Sequence, residues 1–382
     1  MKERLSERHK NTFNRVPASQ FYAPIPVNLL GDYCDYGGGT TLTLNTSLGV
    51  YAAVSVRDDF TTVFDMSLFG KEASATIDMR HLNITHENSL YNVFAAFLSK
   101  CQYEGHTMEN GLNITFMTSL AEEVNVFIAP TLLSLFAEIV DVSNDFRLSR
   151  EKKVRYSLHA RDAVLGHKTT VSPLYAAFFG TEGSVLSIDT KRLEGTPFSL
   201  EDMDVALWMF VVKQPAFAVD PELSSHIRAF SKALDAIREY REIEALCDLD
   251  VATFTDYKRF ISSRKALMHA EHVVFENDRV AQGIESIKDR EPVILGDLMD
   301  QSHHSQHHLL DATNSFQETL VKMAVETGTL GAKRSFFSST PVVLALFDEA
   351  LDVESFKYRF HIRMSKHMEA FRIVPDGPIR HL

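Results

Sequence analysis

The stretch from Ala23 to Gly39, APIPVNLLGDYCDYGGG, constrains the fold more than any other part of this chain. An apolar run (Val27, Leu29, Leu30) predicts a strand. It breaks at Gly31 into a tight polar loop carrying Asp32, Tyr33, Asp35 and Tyr36, and closes on Gly37, Gly38 and Gly39. Glycines in that number let the backbone pass close to another group. Carboxylates accept sugar hydroxyls and a phenol ring stacks on a sugar face. The same residue types also build a solvated β-turn, and spacing alone leaves both readings open.

The rest of the chain predicts mixed secondary structure. Alternation over Thr41–Arg57 reads as paired strands, with a further short strand over Thr62–Phe69. Asn88–Tyr103 reads as a helix with Leu90, Val93, Phe94, Phe97, Leu98 and Cys101 on one stripe. Leu112, Ile114 and Phe116 alternate as a strand, and Pro130 opens a helix burying Leu132, Leu133, Phe136, Ile139 and Val140. Strands follow near Val185–Ile188 and over Val205–Val212, the latter read as central. Helices are expected broadly over 221–247, 251–263, 265–288, 293–311 and 315–326. Then come a strand over Val342–Phe347, a helix from Val353 to about Met368, and a strand over Phe371–Val374.

The 382 residues have room for two domains, and 45% hydrophobic with 24% charged residues is ordinary globular composition. With Asp+Glu 51 against Lys+Arg 39, the net charge of −12 disfavours nucleic acid and anionic membranes as partners. The first residues, MKERLSERHKNTFNR, lack the apolar core of a signal peptide. Cys34, Cys101 and Cys247 are widely separated and show no metal-ligand spacing. These observations lead us to expect a cytoplasmic chain in a reducing compartment.

The Val27-Asn28-Leu29-Leu30-Gly31 run, with Asp35-Tyr36 and Gly38-Gly39 behind it, resembles the galactokinase signature of the GHMP small-molecule kinases, which reads roughly GRVNLIGEHTDYNGG. Further on, His272-Val273-Val274 with Glu276 and Arg279 is similar to that family's RHVVxE helix. Leu295 to Met299 followed by Ser302-His303-His304-Ser305 is similar to its GRLMxxSHxSL segment. Read without the family, those segments are helix packing with solvated charges. The resemblance covers most of the chain. It implies an α+β, two-lobed GHMP-kinase fold, with an N-terminal ribosomal-protein-S5-domain-2-like lobe over 1–190 and a C-terminal ferredoxin-like lobe over 191–382.

The resemblance also implies a sugar site at Asp32, Tyr33, Asp35 and Gly38. The family's phosphotransfer residues are replaced. Pro26 stands where its arginine stabilises the transferring phosphoryl group. Counting back from Gly180-Thr181-Glu182-Gly183 puts Pro173 at the catalytic aspartate. The glycine- and serine-rich phosphate loop falls on Ala121 to Ile128, where Glu122, Glu123 and Asn125 form a degenerate nucleotide loop that would repel a triphosphate. A third glycine-rich motif falls on Gly331 to Pro341, with Phe336 and Phe337 in place of glycines, and reads as a hairpin rebuilt for packing. Phosphoryl transfer depends on positioned charge.

The resulting expectation is a galactokinase-like pseudokinase that keeps monosaccharide binding, as a sensor or regulatory protein of galactose metabolism. No cofactor is expected. The alternatives are a divergent ATP- and Mg²⁺-dependent sugar kinase with relocated residues, and a scaffold or partner of an active paralogue with no ligand of its own. His303 and His307, four apart on a helix face, are weak metal candidates, and no metal is expected.

Overall fold

The computed structural model describes residues 1–66, 74–85, 89–120, 128–212, 223–335, 342–351 and 368–382. The strands are β1 (Ser19–Leu30), β2 (Thr40–Val56), β3 (Thr61–Asp65), β4 (Ser74–Asp78), β5 (Leu112–Thr118), β6 (Ser184–Asp189), β7 (Glu194–Ser199), β8 (Val205–Val212), β9 (Gly331–Arg334), β10 (Val342–Asp348), β11 (Met368–Ile373) and β12 (Arg380–His381). The helices are α1 (Lys2–Phe13), α2 (Cys34–Gly37), α3 (Leu90–Tyr103), α4 (Ala129–Ser143), α5 (Arg150–Leu165), α6 (Ser172–Phe179), α7 (Leu223–Arg238), α8 (Val251–Tyr257), α9 (Arg264–Lys288), α10 (Pro292–Leu310) and α11 (Ser315–Glu326).

Two sheets divide the strands. The first runs β12-β1-β2-β5-β3-β4, with β6 joining β2 and β7 joining β6. The second runs β11-β8-β10-β9, so Val205–Val212 is central, as its continuous apolar run predicts. The chain passes between sheets from Ser199 to Val205, and the 190 region lies in the turn joining β6 to β7. Among the described residues, no helix is long and apolar enough to cross a membrane.

The expected pair of strands over Thr41–Arg57 is instead one continuous strand. Both halves of β2, on either side of residues 46–48, pair with the same strand, β1, which holds β2 extended. It pairs with β1 from Leu42 to Val54, with β6 at Thr40–Thr43, and with β5 at Val50–Val56. β1 adjusts to it by register shifts at Pro24/Pro26 and Asn28/Leu30. The prolines lack a ladder donor, which makes the first shift a natural place for the irregularity.

Other boundaries move for local reasons. The helix expected over 221–247 stops at Arg238, whose guanidinium folds back to the carbonyls of Ile243 and Glu244. A single 3₁₀ turn, Leu246–Asp248, follows. The Asp248 carboxylate accepts the Glu244 and Ala245 N–H groups at 2.9 Å each, which fixes that turn. α8 likewise ends at Tyr257 and tightens into a 3₁₀ turn over Lys258–Phe260. Met368 belongs to β11 rather than to a helix, and the rest of the helix expected from Val353 lies outside the described residues.

One apolar core joins the first sheet to α3 and α4 through Phe64, Phe94, Phe116 and Phe136, and a smaller one joins the second sheet to α11. A third gathers Tyr33, Phe230, Ile237, Leu246, Phe254 and Val273 around α7, α8 and α9. That third core packs against the Gly31–Gly39 loop.

Candidate functional site: the Gly31–Gly39 loop and its buried charges

The loop leaves β1 at Gly31, where φ is +91°. A Cβ there would lie 2.7 Å from the Thr41 Cα, so both conformation and space require glycine. One helical turn, α2, then carries the chain to β2.

Asp32 is fully buried. Lys333 from β9 forms an ion pair with its Oδ2 at 2.5 Å, Gln306 from α10 donates to the same oxygen at 3.0 Å, and Asn28 donates to Oδ1 at 3.4 Å. The neighbouring carboxylate, Glu276 of α9, is equally buried. Its Oε1 accepts the Gly31 N–H at 2.9 Å and the Ser302 hydroxyl at 2.7 Å, and its Oε2 accepts Arg279 Nε at 2.7 Å. Lys333 Nζ stands 3.8 Å from Glu276, bridging the two acids. Burial pushes both carboxyls up. Lys333 opposes this at Asp32 without overcoming it. At Glu276, Arg279 and Lys333 prevail and hold the carboxyl well below the usual range.

His272 completes the support. Its Nε2 donates to the Asp32 carbonyl at 3.1 Å, which leaves Nδ1 to accept the Ser305 hydroxyl at 2.8 Å. Burial lowers its pKa to about 4, so the ring is neutral. His272, Glu276 and Arg279 of the RHVVxE-like segment and Ser302, His303 and Ser305 of the SHxS-like segment are therefore interior, while Asp297 and His304 face solvent. The reading of Glu276 and Arg279 as solvated charges is corrected: they pair with each other out of water and fix the loop.

Asp35 faces another way, toward α6. Its Oδ1 accepts the Val171 N–H at 2.6 Å and the Ser172 N–H at 3.0 Å, and its Oδ2 accepts the Ser172 hydroxyl at 2.8 Å. The carboxylate thus caps a helix whose own N-cap residue, Val171, has no side chain that can do so. Burial pushes the Asp35 pKa up, against the pull of those hydrogen bonds. Pro173 occupies the first turn of this helix. Arg161 of α5 donates to the Thr170 carbonyl at 3.4 Å and acts electrostatically on Asp35 and Tyr36.

The residues assigned to the sugar from sequence therefore separate. Asp35 is partly exposed and retains acceptor capacity beyond its three internal bonds. Asp32 is enclosed by Lys333, Gln306 and Asn28, so in this arrangement it supports the loop rather than presenting an open carboxylate. Tyr33, at φ +67°, packs its ring among His226, Phe230 and His272 in the third core. Gly38, at φ +68°, lies against Ala245, where a Cβ would fall 2.6 Å from the alanine's own. These two answer the protein's interior.

Pro26 is buried in β1. Glu122, Glu123 and Asn125 lie outside the described residues, as do Phe336 and Phe337. The hairpin expected around them is present at its base, where β9 and β10 pair antiparallel from Val343 opposite Arg334. His303 and His307 both approach Glu318 Oε1, at 3.3 and 3.2 Å. Among the described residues no group of three or more His, Cys, Asp or Glu side chains is arranged to hold a metal. Sequence reasoning passed over Lys333, Arg161 and Ser172 as site residues. The one available signal was Lys333 beside Arg334 in an otherwise apolar strand segment.

An N-terminal sheet carrying this loop, closed by α9, α10 and β9 of the second half, is the architecture of the GHMP small-molecule kinases. The structure superposes on Lactococcus lactis galactokinase complexed with galactose with a TM-score of 0.92, covering 100% of both chains at 17% identity. It superposes on Methanococcus jannaschii mevalonate kinase with a TM-score of 0.65 over 94% of this chain and 98% of that one, at 13% identity. Residues 7–56 match the galactokinase galactose-binding signature. The galactokinase of Streptococcus thermophilus is 26% identical over 356 residues, 92% of this chain and 91% of the relative. That of Clostridium perfringens strain 13 is 24% identical over 326 residues, 85% and 84% respectively. In sequence and in fold the chain is similar to the galactokinases of the GHMP kinases.

Proposed function

We propose that this galactokinase-like chain binds a monosaccharide of the galactose type at the Asp35 side of the loop, and that it does not transfer phosphate to it. One observation carries the second half. At the N-terminus of α6, where the family resemblance places the catalytic aspartate, the first turn holds Pro173, and Asp35 already accepts the Val171 and Ser172 N–H groups. A proline can neither orient a sugar hydroxyl nor accept its proton, and Asp35 fills the position at which a helix N-terminus would otherwise draw an anion. Pro26 removes the family's phosphate-side cation in the same way. The charged positions that remain therefore do not fit phosphoryl transfer. No ATP or Mg²⁺ is assigned, and the protein reads as a sensor or regulatory member of its family. Division into lobes 1–190 and 191–382 is part of the same proposal.

Sugar binding is supported by the signature match over 7–56 and by the free acceptor capacity of Asp35. The rival reading, a divergent ATP-dependent kinase, is favoured by the relatives bearing the name galactokinase.

Calorimetry with galactose, other hexoses and polyols, and separately with Mg-ATP, distinguishes them. We expect a hexose to bind and Mg-ATP to give no heat at millimolar concentration. Asp35→Asn keeps an acceptor for the α6 N–H groups, so the fold should persist. It removes the charge from a hydroxyl contact, and sugar affinity should fall about tenfold, which corresponds to about 1.4 kcal/mol. Micromolar Mg-ATP binding with turnover of galactose would establish the rival, and a chain that binds no hexose at all would be a scaffold.

A further inference from the structure

Cys34 and Cys247 are more than two hundred residues apart in sequence, yet they meet beneath the Gly31–Gly39 loop. Each sulfur points at the same carbonyl oxygen, that of Val273 on α9, Cys34 Sγ at 3.8 Å and Cys247 Sγ at 3.7 Å. Cys247 sits in the 3₁₀ turn that Asp248 fixes. Its sulfur lies where a side chain on Gly37 or Gly39 would be, 3.0 and 2.6 Å from the Cβ either residue would carry. Those glycines thus leave room for the sulfur beside the loop, and no loop side chain stands there. Cys34 is fully buried and Cys247 only partly so, which gives the pair one thiol that solvent reaches and one behind it.

We propose that Cys34 and Cys247 form a reversible disulfide that ties the Gly31–Gly39 loop to the 246–248 turn. The oxidant is a small disulfide of the glutathione class. The Cys247 thiolate attacks one sulfur of that molecule and breaks its S–S bond, releasing one small thiol and leaving a mixed disulfide on Cys247. The Cys34 sulfur, giving up its proton, then attacks the Cys247 sulfur and displaces the second small thiol. In sum, two protein thiols and one small disulfide become one protein disulfide and two small thiols. Burial and the adjoining Cys247 thiol push the Cys34 pKa up, so the second step is the slow one. On oxidation the loop exchanges two weak S–H···O contacts for a covalent tether one residue from Asp35. This assignment stands independently of whether the loop binds a sugar.

The test incubates the full chain in mixtures of reduced and oxidised glutathione, blocks free thiols, and maps peptides by mass spectrometry. The expected result is an intact mass lower by two hydrogens, a linked pair of peptides carrying Cys34 and Cys247, and reversal by excess reduced glutathione. Amide hydrogen exchange over Gly31–Gly39 should slow at least several-fold in the oxidised chain. Cys101→Ser should behave as wild type, because Cys101 lies in the separate core under the first sheet. Cys247→Ser should abolish the product. Stable glutathione adducts on Cys247 without engagement of Cys34, a link that appears only in urea, or a link through Cys101 would each overturn the proposal. The wild-type peptide map decides the matter by itself if a variant does not fold.

Discussion

Lys333 holds more buried charge in place than any other side chain described here. It stands between Asp32 and Glu276, and all three are fully buried. Removing one partner of a buried pair leaves the other charge without compensation, which typically costs about 3–5 kcal/mol. Lys333→Met preserves length and bulk while deleting the charge, so we expect a loss of that size in urea unfolding. Adding Asp32→Asn to it should recover part of the loss, because the orphaned acid is then neutral. A single variant within about 0.5 kcal/mol of wild type, the range of an ordinary surface substitution, would show that water reaches the pair.

At the scale of elements, α6 depends on a residue that lies far from it in sequence. Ser149, Ser89, Asp250 and Ser263 cap their own helices, whereas α6 takes its cap from Asp35 in the loop. The loop and the helix should therefore loosen together. Asp35→Ala should cost about 1–2 kcal/mol for the lost backbone cap in addition to the Ser172 hydroxyl contact, and Asp35→Asn clearly less. Ser172→Ala removes only the hydroxyl contact, whose loss to a charged group is worth about 1.5–3 kcal/mol at most. Amide exchange reads the coupling directly. Faster exchange in residues 174–179 when Asp35 is changed is expected, and unchanged exchange there would mean that the cap contributes nothing.

Across the whole molecule, buried histidines set the response to acid. Burial lowers His9, His272 and His303 from an ordinary 6.5 to about 4, and His269 to about 3. The unfolded chain binds these protons first. The neutral rings therefore add stability that is complete above about pH 6.5 and declines as pH falls toward 4 and 3, by at most about 1.4 kcal/mol per pH unit for each ring. Glu276, held low, adds a loss of the same sign below its ordinary range. Asp32 and Asp35, pushed up, act oppositely and regain stability as they protonate. The histidines and Glu276 outnumber them, so thermal denaturation should show a falling melting temperature from pH 6.5 to 4. A melting temperature that stays level over that range would contradict the neutral, buried state of these rings.

The sequence by itself determined the strand before Gly31, the existence though not the ends of helices α7 to α11, the central β8 and the family signature. Each of these rests on local periodicity or on a contiguous motif. α6 was not legible in this way: Leu174 to Phe178 are all buried, so no polar face gives the helix a period. α1 escaped for the reverse reason, since only Leu5 and His9 are buried and its remaining face is polar. Side-chain roles in the loop were also out of reach. Asp32 and Asp35 read alike in sequence, but only the tertiary structure sends one to Lys333 on β9 and the other to the backbone of α6. Those partners lie from about 140 to 300 residues away in sequence. Burial and pairing are decided between elements, where the desolvation of a charge must be met by whatever the fold brings beside it, and no spacing along the chain records that.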